Sequence, residues 1–549
     1  MCGIWACLGK IYAGTKDRIE RLKGRGPEGS RHVHLDKVAS VAGPGVGRAT
    51  LGFTRLALNG VGEAGMQPFS QEGVTWICNG EIYNWRDLAA RHGLDCRSES
   101  DCSVLGPLWT RFRHDPTTFF RALDGVFALV LVDGDHAYVG RDPYGVRPLF
   151  YAVGPGCTYV ASEMKALLGF GKVWPFQPGT WTRIHLQTGV MEDAGRYHVT
   201  PWLKNPTYRT FEGLDAAKAA LQHSLVAAVQ KRLMTERPIA ALLSGGLDSS
   251  LIAALVQREL KALGKPPLET FTVGFEGSSD VAHARLVADW IGSNHTEIIT
   301  TPAAFLEVLP QVVHDIESYD ITTVRASVGN WFVAREIKRR SEAKVVFNGD
   351  GADELFGSYL YFFRAPSDEA YETEVTRLLD DLYQFDILRS DRSISSHGLE
   401  PRTPFLDKQF VATVRSIGTQ WLRPIPQEQP LSKPEKWLLR SAFEESDLLP
   451  PSVLWRQKEA FSDGVSDAEK PWYQRIQDAL KDDAVLLARF QNPTLFSHLP
   501  PPTLEAFYYR TLFDKEYGVE CEEAIPYFWM PRWSGETTDP SARTLSLYK

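Results

Sequence analysis

At 549 residues the chain exceeds what one hydrophobic core supports, so two or more domains are expected, each able to bury substantial apolar surface. Its hydrophobic (43%) and charged (23%) fractions are ordinary for a globular protein, and a net charge of −8 argues against the broad basic face that general nucleic-acid or membrane-surface binding needs. Seven cysteines, an odd number without regular spacing, suggest neither a disulfide framework nor a zinc site and favour a reducing compartment. No charged-then-apolar leader opens the chain and no apolar run approaches the ~20 residues that span a bilayer, so a cytoplasmic location is expected.

The chain opens Met1-Cys2-Gly3-Ile4. Removing the initiator would put a thiol and a free α-amine on Cys2, and groups titrating near ~8.5 and ~7.7–8.0 can exchange a proton without a histidine. Further on, Cys78-Asn79-Gly80-Glu81-Ile82-Tyr83-Asn84 sets an amide side chain beside a glycine, as an oxyanion hole requires. After the apolar Val74-Thr75-Trp76-Ile77, the same Asn-Gly also reads as a hairpin turn, and on these residues alone the turn is the better reading. Phe127 to Val132 and Thr158 to Ala161 read as buried strands, making this half mostly sheet.

Pro201 to Phe211 reads as a linker, after which the rhythm changes. A helix over Ala216 to Arg232, a strand over Ile239 to Leu243, a glycine-rich loop and another helix make an α/β alternation. There is no internal repeat, Lys338-Arg339-Arg340 reads as solvated helix surface, and Ser534 to Lys549 is polar enough to be mobile. The loop Ser244-Gly245-Gly246-Leu247-Asp248-Ser249-Ser250 combines glycines, hydroxyls and a helix N-terminus in the manner of a phosphate cradle, though not the Walker pattern. It resembles the pyrophosphate loop of ATP pyrophosphatases. Asp248, with Asp353 in Phe347-Asn348-Gly349-Asp350-Gly351-Ala352-Asp353-Glu354, then suits Mg²⁺ on a leaving pyrophosphate, and the spacing is not that of an EF-hand. Leu243 and Val273 would be apolar core whatever the function. Arg325 reads equally as a substrate anchor or a brace for Asp320.

In the first half, Met1-Cys2-Gly3-Ile4-Trp5, Arg25-Gly26-Pro27, Phe53-Thr54-Arg55-Leu56-Ala57, the Asn79 to Asn84 segment, Ser100-Asp101-Cys102 and Gly140 to Leu149 follow the order of class II glutamine amidotransferase domains. The resemblance implies that Cys2 attacks the glutamine amide while Asn79 and the Gly80 amide hold the oxyanion. It implies that Arg55 grips the substrate carboxylate and Asp101 its ammonium, with Leu56, Ala57, Leu58, Asn59 and Glu81 completing the pocket. Gly24, Glu28, Thr54, Asn59-Gly60 and Trp85 depart from the family's usual residues and bear on how tightly the glutamine loop closes.

With Lys231 to Thr235, Tyr319 to Ser327, Asp391-Arg392 to Glu400, Pro404 to Asp407, Trp455 to Gly464 and Asp539 to Thr544, the whole chain resembles the glutamine-hydrolysing asparagine synthetases. The implied organisation is a glutaminase domain over 2–200, a linker over 201–212 and a synthetase domain over 213–549. The implied folds are an N-terminal αββα sandwich of the N-terminal nucleophile hydrolase type and a doubly wound parallel α/β domain with added helices. The implied substrates are glutamine, aspartate and ATP, with Mg²⁺, no nucleic acid and no membrane, and a homodimer stays an open expectation. Leu243, Ser244, Gly245, Gly246, Asp248, Ser249, Val273, Asn348 and Gly349 would hold the nucleotide, Asp350 would serve formation of a β-aspartyl-AMP, and Lys458 would neutralise charge. Rival readings are another carboxylate acceptor, a β-lactam-forming synthetase, which would lack Cys2, and a non-catalytic regulatory homologue.

Overall fold

The computed structural model describes residues 1–36, 48–200, 211–426, 432–458, 466, 470–492, 495–535, 537 and 539–541. Most of the expected linker, residues 459–465 and the last eight residues of the chain lie outside that range.

The first part is built from strands β1 (Gly3–Leu8), β2 (Ser30–Asp36), β3 (Arg48–Thr54), β4 (Phe69–Gln71), β5 (Val74–Ile82), β6 (Gly125–Asp133), β7 (His136–Arg141), β8 (Phe150–Gly154), β9 (Cys157–Ala161), β10 (Val173–Pro175), β11 (Thr180–His185) and β12 (Met191–Arg196). They form two antiparallel sheets, ordered β10-β8-β9-β1-β3-β2 and β12-β11-β7-β6-β5-β4. Strand β1 and residues 126–132 of β6 are apolar at every position because both their faces are covered. On β1, Ile4, Ala6 and Leu8 meet Ala128, Val130 and Val132 of β6 in the core between the sheets. Trp5 and Cys7 face outward with Ile19 and Leu22 and join helices of the second part. On β6, Phe127, Leu129 and Leu131 face the other way. There they pack against α2 (Trp85–His92), α3 (Leu105–Phe112) and α4 (Pro116–Ala122), with α1 (Thr15–Glu20) on the opposite side. The layering is the expected αββα.

The second part centres on the parallel strands β13 (Ile239–Leu242), β14 (Glu269–Phe275), β15 (Asn294–Thr300), β16 (Val345–Phe347) and β17 (Glu400–Arg402), ordered β15-β14-β13-β16-β17. Helices α5 (Leu214–Arg232), α6 (Leu247–Ala262) and α7 (Ser279–Ile291) pack on the face of Ala241, Val345 and Phe347. Helices α8 (Pro302–Ile316) and α9 (Ile321–Arg340) cover the face of Ala240 and Val346. The strand order reverses between β13 and β16, where open α/β sheets leave a crevice for ligands.

Buried ion pairs join the two parts. Arg25 reaches Asp391 at 2.8 Å while also holding Glu163 of its own part, Arg147 reaches Glu400 at 3.2 Å, and Arg402 reaches Glu81 at 3.5 Å. Such pairs add little net stability, because both charges give up water, but losing one partner would leave the other buried and unpaired. All seven cysteines are free, and among the described residues no helix is long and apolar enough to cross a membrane.

Candidate active sites

Cys2 precedes β1 and lies beside β5, which carries Asn79, Gly80 and Glu81. Asn79-Gly80 is not a turn. Asn79 pairs with Ala128 and Gly80 with Phe127 in an unbroken ladder, and a Cβ at Gly80 would sit 2.1 Å from the Val126 carbonyl. The turn reading fails because the partner strand comes too close for any other residue at that position. The Cys2 backbone N–H donates to Asn79 Oδ1 at 3.1 Å, while Asn79 Nδ2 is buried without a partner. An unsatisfied buried donor is costly unless something uses it, and here it lies on the residue bonded to Cys2. The thiol donates to the Leu56 carbonyl at 3.7 Å, and burial pushes its pKa up to about 11. With Met1 attached, the α-amine is instead on Met1, 3.6 Å from Glu400, and burial lowers its pKa.

Beyond the thiol, Asn59 Nδ2 donates to Glu81 at 2.6 Å and Asp101 at 3.4 Å. Burial pushes Asp101 up to about 6. Burial also raises Glu81 well above the usual carboxylate range, reinforced by the charges of Asp101 and Glu400 and opposed by Arg402. Two crowded carboxylates of this kind favour a cationic ligand. Arg55 is buried and donates to the carbonyls of Gly60 at 2.5 Å and Gly62 at 2.8 Å, so it props the loop after Asn59. Leu56, Ala57 and Leu58 are buried beneath it, with the Ala57 N–H on Glu28 at 2.8 Å. Two departures from the family pattern have local causes. Gly60 has φ +56° and a Cβ would meet Ser100 N at 2.5 Å, while a Cβ at Gly24 would meet the Ser396 carbonyl at 3.1 Å across the junction of the two parts.

The second site is a cavity of about 260 Å³ at the strand-order reversal, lined by Leu243, Ser244, Gly246, Asp248, Ser249, Val273, Asn348, Gly349, Asp350, Asp353 and Lys458 among others. Helix α6 starts after Gly246 without a side-chain cap, so its first N–H groups are available to an anion. Gly245 has φ +73°, and its Cβ would meet Ala284 N at 2.5 Å. Gly349 lies so close that a Cβ would be 2.7 Å from Ser249 N, and Ser244 and Ser249 share a 3.0 Å hydrogen bond. Asn348 donates through Nδ2 to Asp350 and Ser390, both at 2.8 Å, and burial raises the Asp350 pKa.

The two acids expected to hold metal share one ammonium that the sequence reading missed. Lys436, buried, sits 2.5 Å from Asp248 and 2.6 Å from Asp353, and Lys458 reaches Asp353 at 2.5 Å. Against its own burial, Asp353 is held far below the usual range by the two lysines, whereas burial wins at Asp248 and raises it. The shared cation is within ion-pair distance of both acids, and Lys458 adds a second cation on Asp353 alone. Lys436 has φ +54°, a strained geometry for a side-chain-bearing residue that no sequence signal announced. Arg456, also missed, donates to the Gly245 carbonyl at 3.1 Å and pairs with Asp280 at 3.0 Å. Arg325 does not brace Asp320. It forms paired bonds with Glu505 and Asp539, while Asp320 caps α9 through Thr323 N and accepts from Trp529 N.

A family model described as a glutamine amidotransferase domain matches residues 1–176, and one described as asparagine synthase matches residues 220–378 and 367–523. The asparagine synthetase [glutamine-hydrolyzing] of Gallus gallus is 38% identical over 580 residues, covering 100% of this chain and 99% of that protein. The Homo sapiens protein of the same name is 38% identical over 578 residues with the same coverage. With both family models and full-length relatives in agreement, the chain belongs to the glutamine-hydrolysing asparagine synthetases.

Proposed function

We propose that this chain makes asparagine from aspartate, ATP and glutamine through two coupled reactions. At the first site the α-amine of processed Cys2 takes the thiol proton, and the thiolate adds to the glutamine side-chain carbonyl. Asn79 Nδ2 and the Gly80 N–H stabilise the oxyanion, the carbon–nitrogen bond breaks with return of the proton, and ammonia leaves. Water then releases glutamate from the thioester. Asp101 and Glu81 receive the substrate ammonium, and Arg55 its carboxylate.

At the second site the aspartate side-chain carboxylate attacks the α-phosphorus of ATP and displaces pyrophosphate. The loop Ser244 to Ser249 cradles the phosphates, Leu243, Val273, Asn348 and Gly349 contact the nucleoside, Asp350 aids the adenylation, and Lys458 neutralises developing charge. Ammonia then opens the β-aspartyl-AMP to asparagine and AMP. Asp248 and Asp353 fit Mg²⁺, since they offer only oxygen donors and Asp248 Oδ1 is buried without a hydrogen-bond partner. Bound there, the ion would supply charge neutralisation on the pyrophosphate. Ammonia protonates in water, so it needs a dry route, and one apolar cluster running from Leu56, Leu58 and Val126 to Leu243, Phe347 and Ala352 supports such a passage.

The observation that carries this reading is the orphaned Asn79 amide against Cys2, in the same chain as a cavity lined by acids, lysines and a glycine-rich loop. The test supplies glutamine, ATP with magnesium, and a panel of amino acids in turn, following AMP and the amidated product. Aspartate should give stoichiometric AMP and asparagine. AMP release that ignores aspartate and requires another carboxylate would reject the assigned acceptor.

A further inference from the structure

The glutamine pocket is completed by a segment of the synthetase half. Between α5 and β13, Thr235, Glu236 and Arg237 lie along the stretch from Ala57 to Gly60. The Gly60 N–H donates to Glu236 Oε1 at 2.5 Å, and the Glu236 N–H donates to the Leu58 carbonyl at 2.8 Å. Arg237 donates to Glu28 Oε1 at 2.9 Å while Glu28 Oε2 accepts from Ala57 N–H at 2.8 Å. Two points on one short stretch, Leu58 and Gly60, are therefore held directly by Glu236, and a third, Ala57, is held through Glu28, which Arg237 pairs with from the synthetase half. These points bracket Asn59, whose amide holds Glu81 and Asp101, and Gly60, whose carbonyl holds Arg55.

The segment is itself anchored. Arg402 donates to the carbonyls of Arg232 and Met234, the latter at 2.7 Å, and its Nε pairs with Glu400 at 3.0 Å. The Arg402 carbonyl accepts from Asn348 N–H at 3.1 Å at the nucleotide cavity. A β17 residue thus touches both the nucleotide loop and the base of the segment that grips the glutamine loop.

We propose that Glu236 is a positioning residue for glutamine, latching Gly60 so that Asn59 and Arg55 present the pocket. The proposal rests on the glutaminase reading above. Gly60 suits the latch: its positive φ and the closeness of Ser100 leave no space for a side chain, so the loop is held by its backbone. Glu236 touches no proposed reacting atom, so its loss should act on glutamine binding alone.

The test measures glutamine-dependent and ammonia-dependent synthesis in the full-length protein for Glu236→Ala and Glu236→Gln. Glu236→Ala should raise KM for glutamine about tenfold, the scale of one charge-assisted hydrogen bond, with the ammonia-dependent rate unchanged. Glu236→Gln keeps an acceptor oxygen and should recover most of the loss. An unchanged glutamine KM, or a parallel fall in the ammonia-dependent rate, would overturn the latch. Failure of the glutaminase reading would look different, because the unmodified protein would then release no glutamate.

Discussion

Lys436 is the residue whose removal the structure makes most informative. Its ammonium is buried and holds both Asp248, through Oδ2, and Asp353, while Asp248 Oδ1 has no hydrogen-bond partner. Lys436→Met keeps the side-chain bulk and deletes the charge, leaving two neighbouring carboxylates with Lys458 on Asp353 alone. Breaking a buried ion pair by removing one partner costs about 3–5 kcal/mol. At an unfolding entropy of about 2 cal/mol/K per residue, about 340 residues melting together convert that loss into a fall in Tm of about 4–7 °C. Calorimetry without divalent cation should show this fall, and magnesium should restore part of it in the variant, by more than it stabilises the parent, because a cation can satisfy both acids. A variant that melts within about 1 °C of the parent, with magnesium shifting both alike, would refute the assignment of Lys436 as the internal counter-ion of this acid pair.

Burial pushes Asp101 up to about 6, so kcat/KM for glutamine hydrolysis should fall about tenfold per unit as pH drops below that value. The limb should be missing from Asp101→Asn, whose glutamine KM should be high at every pH. A raised folded-state pKa gives stability that is present below the unfolded value and is lost as pH rises through about 6, so Asp101→Asn should be no less stable than the parent at neutral pH, as denaturant titration can check. Gly349→Ala would press a methyl group against Ser249 N, 2.7 Å away, and should lower ATP-dependent synthesis at least about tenfold while glutamine hydrolysis changes less than about twofold. Equal losses in the two assays would show that Gly349 does not act through the nucleotide loop.

Strands and loops were legible where local pattern and packing agree. The apolar runs of β6 and β9 and the glycine-rich loop before α6 carry their structure in a few consecutive residues. Asn79-Gly80 misled on its own because an Asn-Gly pair usually signals a turn, and only the approach of β6 shows why glycine is needed inside a strand. Cys2 and Asp248 stood out through motifs. Lys436, Arg402 and Glu236 did not, since each acts on partners over 80 positions away and nothing beside it in sequence marks it. Charges that bridge the two halves become visible only once both halves are folded and docked.

The most direct test of the whole account is Cys2→Ala, assayed for asparagine formation from aspartate and ATP with either glutamine or ammonium as nitrogen source. The account predicts that glutamine-dependent synthesis disappears while ammonium-dependent synthesis keeps its rate. Glutamine-dependent synthesis that persists at the parent's rate would contradict it.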